Sequence, residues 1–227
     1  MAGALNSSIR GEGQVNLQFR SQCVSIYLVR HGETVLNATR VLQFPDTPLG
    51  ERGLAQARAV GERLARVRPA AILASDMSRA WMTAEAIAAT TGLPIRPSKL
   101  LHERNFGDLR GKRFDDLDHD PISAEHGAPN GESMAVFRAR VVQAFDEMRN
   151  LRASMNGNLI VVSHGLVIKV ILAELARRPA GVPAPERLGN TSVSIIGADA
   201  PHLAELIDCT THLDEGNADN KHMVAGV

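Results

Sequence analysis

The distribution of apolar residues divides most of the chain into short apolar runs and longer amphipathic segments. The short runs end at polar residues or glycine, which is typical of buried strands. Between them, apolar residues recur at every third or fourth position, which is typical of helices with one buried face. The pattern predicts strands over 24–29, 70–75, 159–162, 191–196 and 203–207, and helices over 48–67, 78–91, 133–151 and 166–176.

The alternation of strands and helices predicts an α/β fold. We expect a three-layer sandwich with a mostly parallel central sheet flanked by helices, and the last two strands can add an antiparallel edge. Thr47 is the predicted N-cap of the first helix, with Pro48 at its first helical position. Gly92 is predicted to close the helix over 78–91.

One stretch interrupts the alternation of strands and helices. Residues 98–131 contain prolines, glycines and four aspartates within a short span, and few apolar residues. Such an excursion, with little core of its own, predicts a small lid insertion over a site. The domain organisation is therefore a flexible leader over 1–22, one domain over 23–213 and a flexible tail over 214–227.

The 227-residue chain carries 25 Lys and Arg against 25 Asp and Glu. This balance leaves no net positive charge that would attract nucleic acid or an anionic membrane. No apolar run is long enough to span a bilayer, and residues 1–22 lack the apolar segment of a secretory signal. The two cysteines, Cys23 and Cys209, lie in strand-like runs without metal-ligand spacing. Buried, reduced thiols in a cytoplasmic protein are the resulting expectation.

Two of the predicted strands end in a histidine followed by a glycine. Arg30-His31-Gly32 follows the first strand, and Ser163-His164-Gly165 follows the strand over 159–162. Ligands bind at the carboxyl edge of open α/β sheets. A guanidinium binds phosphate through two parallel N–H bonds, and a neutral imidazole can attack phosphorus. A lone strand-end histidine is more often structural, but two at one edge indicate phosphate chemistry.

Five segments extend this pattern along the chain. They are LVRHGET at 28–34 with Asn37 after it, SDMSRAWMTAE at 75–85, LHERNFGDLRGK at 101–112, GES at 131–133 and VVSHG at 161–165. In this order they resemble the histidine phosphatase superfamily, which includes cofactor-dependent phosphoglycerate mutases and many small monophosphatases. The resemblance covers residues 26 to about 213 and points to the phosphatase branch.

The resemblance implies a role for each matching residue. His31 corresponds to the nucleophile that forms a phosphohistidine, and Glu103 to the acid that protonates the leaving oxygen. Two arginines and a protonated His164 would form a positive cage without a metal or other cofactor. The implied substrate-binding positions are Arg30, Asn37, Arg79, His164 and Gly165.

Ordinary alternatives exist for three of these residues. Arg79 could be an exposed helix arginine in an ion pair, and Glu103 a solvated charge of the lid. Asn37 is about as typical of a turn as of a ligand contact.

The sequence therefore predicts a metal-independent phosphomonoesterase of the histidine acid phosphatase type, acting on a small phosphorylated substrate.

Phosphoglycerate mutase-type transfer is the first alternative. Against it, the segment between Glu103 and Gly131 is short for a mutase and lacks its adjacent arginine pair. A catalytically weak phospho-ligand binding module is the second, although binding alone requires neither nucleophile nor acid. A metallohydrolase is disfavoured because neither HExxH nor clustered ligand spacing occurs.

The remaining charged residues and histidines are interpreted as solvent-exposed or structural. The cations Arg110, Lys112 and Arg113 could contact a second anionic group, but a solvated lid face is the better interpretation. The other histidines share no spacing and are expected at the surface or in structural positions: His102, His119, His126, His202, His212 and His222. The individual substrate and the oligomeric state are not indicated.

Overall fold

The computed structural model describes residues 24–214 and 216–217. Their strands are β1 (Ser25–Arg30), β2 (Pro69–Ala74), β3 (Ile95–Pro97), β4 (Asn158–Ser163), β5 (Val193–Gly197) and β6 (Ala204–Cys209). Their α-helices are α1 (Val35–Ala38), α2 (Glu51–Leu64), α3 (Ser78–Thr91), α4 (Met134–Ala153) and α5 (Gly165–Val170). Short 3₁₀ turns occupy Ala65–Val67, Lys99–Leu101, Gly107–Leu109 and Phe114–Asp116.

The strands form a single sheet in the order β3-β2-β4-β1-β5-β6. The pairs β3–β2, β2–β4 and β4–β1 are parallel, whereas β5 pairs with β1 and with β6 in antiparallel fashion. The predicted mostly parallel sheet with an antiparallel edge is therefore confirmed. Its central strands β2, β4 and β1 end next to one another, because Ala74 pairs with Val162 and Arg30 with Ser163.

Alternating residues of the central strands build two cores, one on each face of the sheet. On one face, Val29 and Ile160 pack with residues of α2 and α3. On the other face, Leu28 and Val161 pack with α4 and α5. Because the central strands are buried on both faces, their sequences are continuous apolar runs. Helices cover both faces of the sheet and complete the three layers.

The start of α2 differs from the prediction. The helix begins at Glu51 with Gly50 as its N-cap, rather than after Thr47. The amide of Gly50 donates to the carbonyl of Glu33 over 3.0 Å. A Cβ on Gly53 would lie 2.0 Å from that same carbonyl oxygen. Close packing against the loop after β1 sets where this helix starts, so the predicted N-cap at Thr47, with Pro48 in the first turn, does not form.

The other helices follow their predicted patterns, with one change. The helix α3 spans the predicted residues, and Gly92 closes it at φ 70°. The Ser133 side chain caps α4 by accepting from the amide of Val136. The predicted helix over 166–176 instead consists of α5 followed by a π-helical turn over Ile171–Leu175.

The segment over 98–131 packs more tightly than predicted. Leu101 and Phe106 are buried in the same core as α4, with Leu109, Phe114 and Ile122 partly buried against it. The expectation of little core was wrong, because irregular backbone here still places apolar side chains on α4 and α5. That this segment acts as a lid stays a prediction.

Two further predictions concern the ends of the chain. The leader over 1–22 and Cys23 lie outside the described residues, as does most of the tail over 214–227. Cys209 ends β6 and is partly exposed, so the expectation of a buried thiol was wrong for this residue. Its sulfur accepts a hydrogen bond from Arg63 at 3.3 Å.

Candidate active site

His31 lies directly after β1, and its backbone and ring are both fixed. Its amide donates to the carbonyl of Ser163 over 3.0 Å, which ties it to the end of β4. Its Nδ1 lies 2.7 Å from the carbonyl oxygen of Gly32. Because a carbonyl only accepts, Nδ1 carries the proton and Nε2 keeps its lone pair. Arg79 donates from Nε to this Nε2 at 3.3 Å.

The environment of His31 keeps its imidazole neutral. The side chain is fully buried. Burial, followed by the positive charges of Arg79 and Arg30, lowers the pKa of His31 well below its usual value. A neutral imidazole whose Nε2 carries no proton is the form that can act as a nucleophile.

Gly32 lets this arrangement pack against α2. A Cβ at this position would lie 2.6 Å from the carbonyl oxygen of Gly53. The amide of Gly32 also donates to the Thr83 hydroxyl of α3 over 3.0 Å. The close approach of α2 therefore requires a glycine after the histidine, while the hydrogen bond to α3 uses only the backbone amide.

His164 lies between β4 and α5, close to His31. The two ring centroids are 5.2 Å apart with an interplanar angle of 58°. Nε2 of His164 hydrogen-bonds the Ser75 hydroxyl at 2.8 Å. Nδ1 is buried and has no hydrogen-bond partner among the described residues. With Nε2 engaged by Ser75, Nδ1 is the nitrogen left to bind a ligand.

The expected protonation of His164 is not supported. Burial, followed by the positive charge of Arg79, lowers the pKa of His164 well below its usual value. His164 is therefore neutral in the protein by itself, and the positive charge of the cage comes from the arginines. The main reason is that burial disfavours the charged ring, and the two buried guanidinium groups add to this effect.

Arg30 and Arg79 are both almost completely buried. Arg30 donates from Nη1 to the carbonyl of Leu188. Arg79, in the first turn of α3, donates from Nη1 to the carbonyl of Phe44 at 3.1 Å. Burial lowers the pKa of Arg79 to about 10, so it stays charged. The alternative of an exposed arginine in an ion pair is thereby excluded for Arg79.

Glu103 is buried, although it comes from the irregular segment over 98–131. Its Oε1 accepts from the Arg104 amide at 3.0 Å, and its Oε2 from the Leu166 amide at 3.2 Å. Burial raises its pKa, while these two bonds and the charges of Arg79 and Arg30 oppose the rise. The alternative of a solvated charge was wrong for Glu103.

Arg140 braces the backbone around Glu103 from α4. It donates to the carbonyls of Leu100, His102 and Glu103. The same guanidinium forms a two-pronged ion pair with Glu132, with donor–acceptor distances of 2.8 and 2.7 Å. The position of Glu103 therefore depends on a partly buried ion pair from elements that follow it in the chain.

The family model of the histidine phosphatase superfamily, branch 1, matches residues 26–205. The chain belongs to the histidine phosphatase superfamily. It is 35% identical over 192 residues to a probable phosphoglycerate mutase GpmB from Erwinia tasmaniensis, covering 80% of this chain and 88% of that protein. It is 34% identical to the protein of that name from Yersinia pestis, covering 84% and 95%. Among solved structures, the mycobacterial glucosyl-3-phosphoglycerate phosphatase superposes with a TM-score of 0.69 at 27% identity, covering 82% and 99%.

Most of the predicted site residues of this superfamily member come together at one sheet edge. Arg30, His31, Arg79 and His164 are linked by direct contacts or by their charges, and the charges of Arg30 and Arg79 also act on Glu103. Gly165 is the buried first residue of α5, next to His164.

Asn37 has a structural role in this arrangement. Its amide donates to the Thr34 hydroxyl, and its Oδ1 accepts from the Thr34 amide, which forms a capping box for α1. This is the turn-forming alternative; a substrate contact of Asn37 stays a prediction.

Sequence reasoning assigned no role to Ser75, Glu132 or Arg140. Ser75 directly follows β2, so the strand-end signal that marked His31 and His164 could also have marked Ser75. Glu132 lies in the GES motif, whereas nothing in the local sequence distinguishes Arg140 from the other arginines of α4.

The other described histidines do not belong to this group of proposed site residues. His102 pairs with Asp76, His202 is buried, and His212 contacts Thr191. The described residues contain no cluster of three or more His, Cys, Asp or Glu side chains that could hold a metal ion. None of the helices in the described part is long and apolar enough to cross a membrane.

Proposed function

We propose that this chain is a metal-independent phosphomonoester hydrolase that works through a phosphohistidine on His31. The observation that carries the proposal is the hydrogen bonding of this residue. Nδ1–H is held by the Gly32 carbonyl, and the lone pair on Nε2 lies beside the Arg79 guanidinium. A phosphate bound to Arg79 would therefore lie against the nucleophilic atom.

In the first step, Nε2 of His31 forms a bond to phosphorus while the ester P–O bond breaks. Glu103 gives its proton to the departing alkoxide oxygen. A buried carboxyl with a raised pKa suits this task, because it holds a proton at higher pH than a solvated one. The Gly32 carbonyl stabilises the positive charge that develops on the His31 ring.

In the second step, water attacks phosphorus and the P–N bond breaks. Glu103, now a carboxylate, takes a proton from that water and regains its starting state. Arg30 and Arg79 neutralise charge on the phosphoryl oxygens in both steps. Nδ1 of His164 adds a hydrogen bond when Ser75 donates to Nε2, because the proton of the neutral ring then lies on Nδ1.

Two alternatives differ from this proposal in their products. A mutase would return the phosphoryl group to a second hydroxyl, and proteins named as probable mutases are among the relatives. The short segment between Glu103 and Gly131 favours access of water. A binding module would release no product, and the paired nucleophile and acid argue against it.

The test is a rapid-quench experiment with a radiolabelled phosphomonoester. We expect an acid-labile, alkali-stable label on the protein, which His31→Ala abolishes and an EDTA-treated enzyme retains. A fully active His31→Ala protein, or activity that requires an added divalent ion, would contradict the proposal. With 3-phosphoglycerate, release of free phosphate supports a hydrolase, whereas accumulation of 2-phosphoglycerate supports the mutase.

A further inference from the structure

We propose that Arg110 binds a second anionic group of the substrate, so that the preferred substrates are phosphomonoesters carrying a carboxylate or a second phosphate. This inference rests on the proposed function for the identity of the first anion, which is the phosphate at His31. It assigns a selectivity role to a residue outside the catalytic arrangement.

Arg110 lines the same small cavity as Arg79 and Glu103. This cavity is bordered by Arg79 and Glu103 on its inner side and by Gln43, Met77 and Phe106 around them. Arg110 is half-buried there. Its charge is felt at Arg79, whose pKa is lowered by burial first and by Arg30 and Arg110 as well. The two guanidinium groups therefore act on one shared space.

The guanidinium of Arg110 has no ion pair or hydrogen bond within the described residues, in contrast to its neighbours. Arg104 also lines the cavity, but its guanidinium donates to backbone carbonyls of residues 121–132. Arg113 pairs with Asp115 at 3.6 Å and is exposed. Among the described residues that line this cavity, Arg110 is thus the cation besides Arg79 that is available to a ligand.

The backbone that carries Arg110 is held in place. The amide of Gly111 donates to the Leu42 carbonyl over 2.7 Å, and the Leu42 amide donates to the Lys112 carbonyl over 3.0 Å. A Cβ on Gly111 would lie 3.0 Å from the Phe44 ring, which shows how closely the two segments pack. An arginine on an anchored turn loses less entropy on binding than one on a mobile loop.

A second anion would compensate a charge that the fold leaves without a partner. A half-buried guanidinium is partly desolvated, and a carboxylate or phosphate can satisfy it through two parallel N–H bonds. The sequence-based interpretation of Arg110, Lys112 and Arg113 as one solvated face therefore holds for the two exposed residues and not for Arg110.

The test measures binding, which does not depend on turnover. Isothermal titration of the full-length His31→Asn protein would compare two matched ligand pairs. One pair is 3-phosphoglycerate and glycerol 3-phosphate, which differ by a carboxylate in place of a hydroxymethyl group. The other is propane-1,3-diol bisphosphate and the corresponding monophosphate, which tests a second phosphate.

We expect at least one doubly anionic ligand to bind about tenfold or more tightly than its partner, and Arg110→Gln to remove that preference. Arg110→Lys should retain part of it. The matched control Arg113→Gln removes the same charge from the same segment and should leave the preference unchanged. Equal binding within both pairs, or equal losses in Arg110→Gln and Arg113→Gln, would overturn the inference.

Failure of the proposed function would look different. If the wild-type protein does not hydrolyse p-nitrophenyl phosphate and forms no phosphohistidine, the hydrolase proposal fails while the binding preference can still be measured. If hydrolysis and the phosphohistidine are present but neither pair shows a preference, only the role of Arg110 is refuted.

Discussion

The Ser75 hydroxyl lies 2.8 Å from Nε2 of His164, which joins two residues separated by 89 positions in the chain. Ser75 follows β2 and His164 follows β4, and these strands are neighbours in the sheet. The hydroxyl is the only hydrogen-bond partner of this imidazole among the described residues. When the hydroxyl donates to Nε2, the proton of the neutral ring lies on Nδ1.

Replacing Ser75 by alanine should impair catalysis with little loss of stability. Without the hydroxyl, His164 is free to change tautomer and can present an unprotonated Nδ1 to the phosphate. We expect kcat/KM to fall about tenfold, because this factor corresponds to the free energy lost with one hydrogen bond to a charged ligand. The buried serine variant Ser98→Ala, whose hydroxyl bonds Glu147, is the control. NMR of the imidazole nitrogens should show a tautomer change in Ser75→Ala, and an unchanged spectrum with unchanged kinetics would refute the role.

Glu103→Gln tests the proton donor through the leaving group. An alkyl alkoxide needs a proton as it departs, an effect of roughly a hundredfold or more, whereas nitrophenolate leaves readily without one. Glutamine should slow phosphorylation by an alkyl phosphate much more than by p-nitrophenyl phosphate. Single-turnover rates are needed, because Glu103 also serves the water step. Equal losses for the two esters would leave Glu103 with a positioning role only.

Gly53→Ala should destabilise the loop that carries the nucleophile. The new Cβ would lie 2.0 Å from the Glu33 carbonyl oxygen, so α2 and the loop after β1 would have to separate. We expect a loss of about 1–3 kcal/mol in the free energy of unfolding, with reduced activity. Gly50→Ala is the matched control, since its nearest contact would be 3.7 Å away. Similar urea midpoints for both variants would contradict this prediction.

The two buried histidines should make the protein sensitive to mild acid. His31 and His164 have pKa values well below 6.5 in the folded protein, so below pH 6.5 the unfolded chain binds more protons and folding stability falls. Each contributes a loss of about 1.4 kcal/mol between roughly pH 7.5 and 5.5. The raised pKa of Glu103 acts in the opposite direction, since its folded form binds more protons as pH falls.

The measurement is the difference in pH dependence between wild type and His164→Gln. Urea unfolding at about pH 7.5 and 5.5 should show a smaller acid loss in the variant, because glutamine does not titrate. The partly exposed His102 provides a control, His102→Gln. An acid loss of the same size in wild type and His164→Gln would show that His164 is not held neutral by the fold.

The sequence by itself determined the layers, the carboxyl ends of two central strands and most of the proposed site residues. Local polarity decides these features: apolar runs ending at His31 and His164 become buried strands, and parallel strands bring their carboxyl ends to one edge. The helix over 78–91 was predicted to the residue because Gly92 and its apolar spacing act locally. The resemblance to the superfamily then indicated Arg79 and Glu103, which no local pattern would identify.

Only the tertiary structure decided how these residues are protonated and held. The neutral state of His164 follows from burial beside two arginines, and the raised pKa of Glu103 from burial beneath α5. Contacts distant in sequence, such as Ser75 with His164 and Arg140 with the Glu103 carbonyl, set the geometry. The start of α2 at Glu51 has the same origin, since close packing outweighed a local cap. Desolvation and long-range packing depend on the whole fold, and a linear pattern of residues does not contain them.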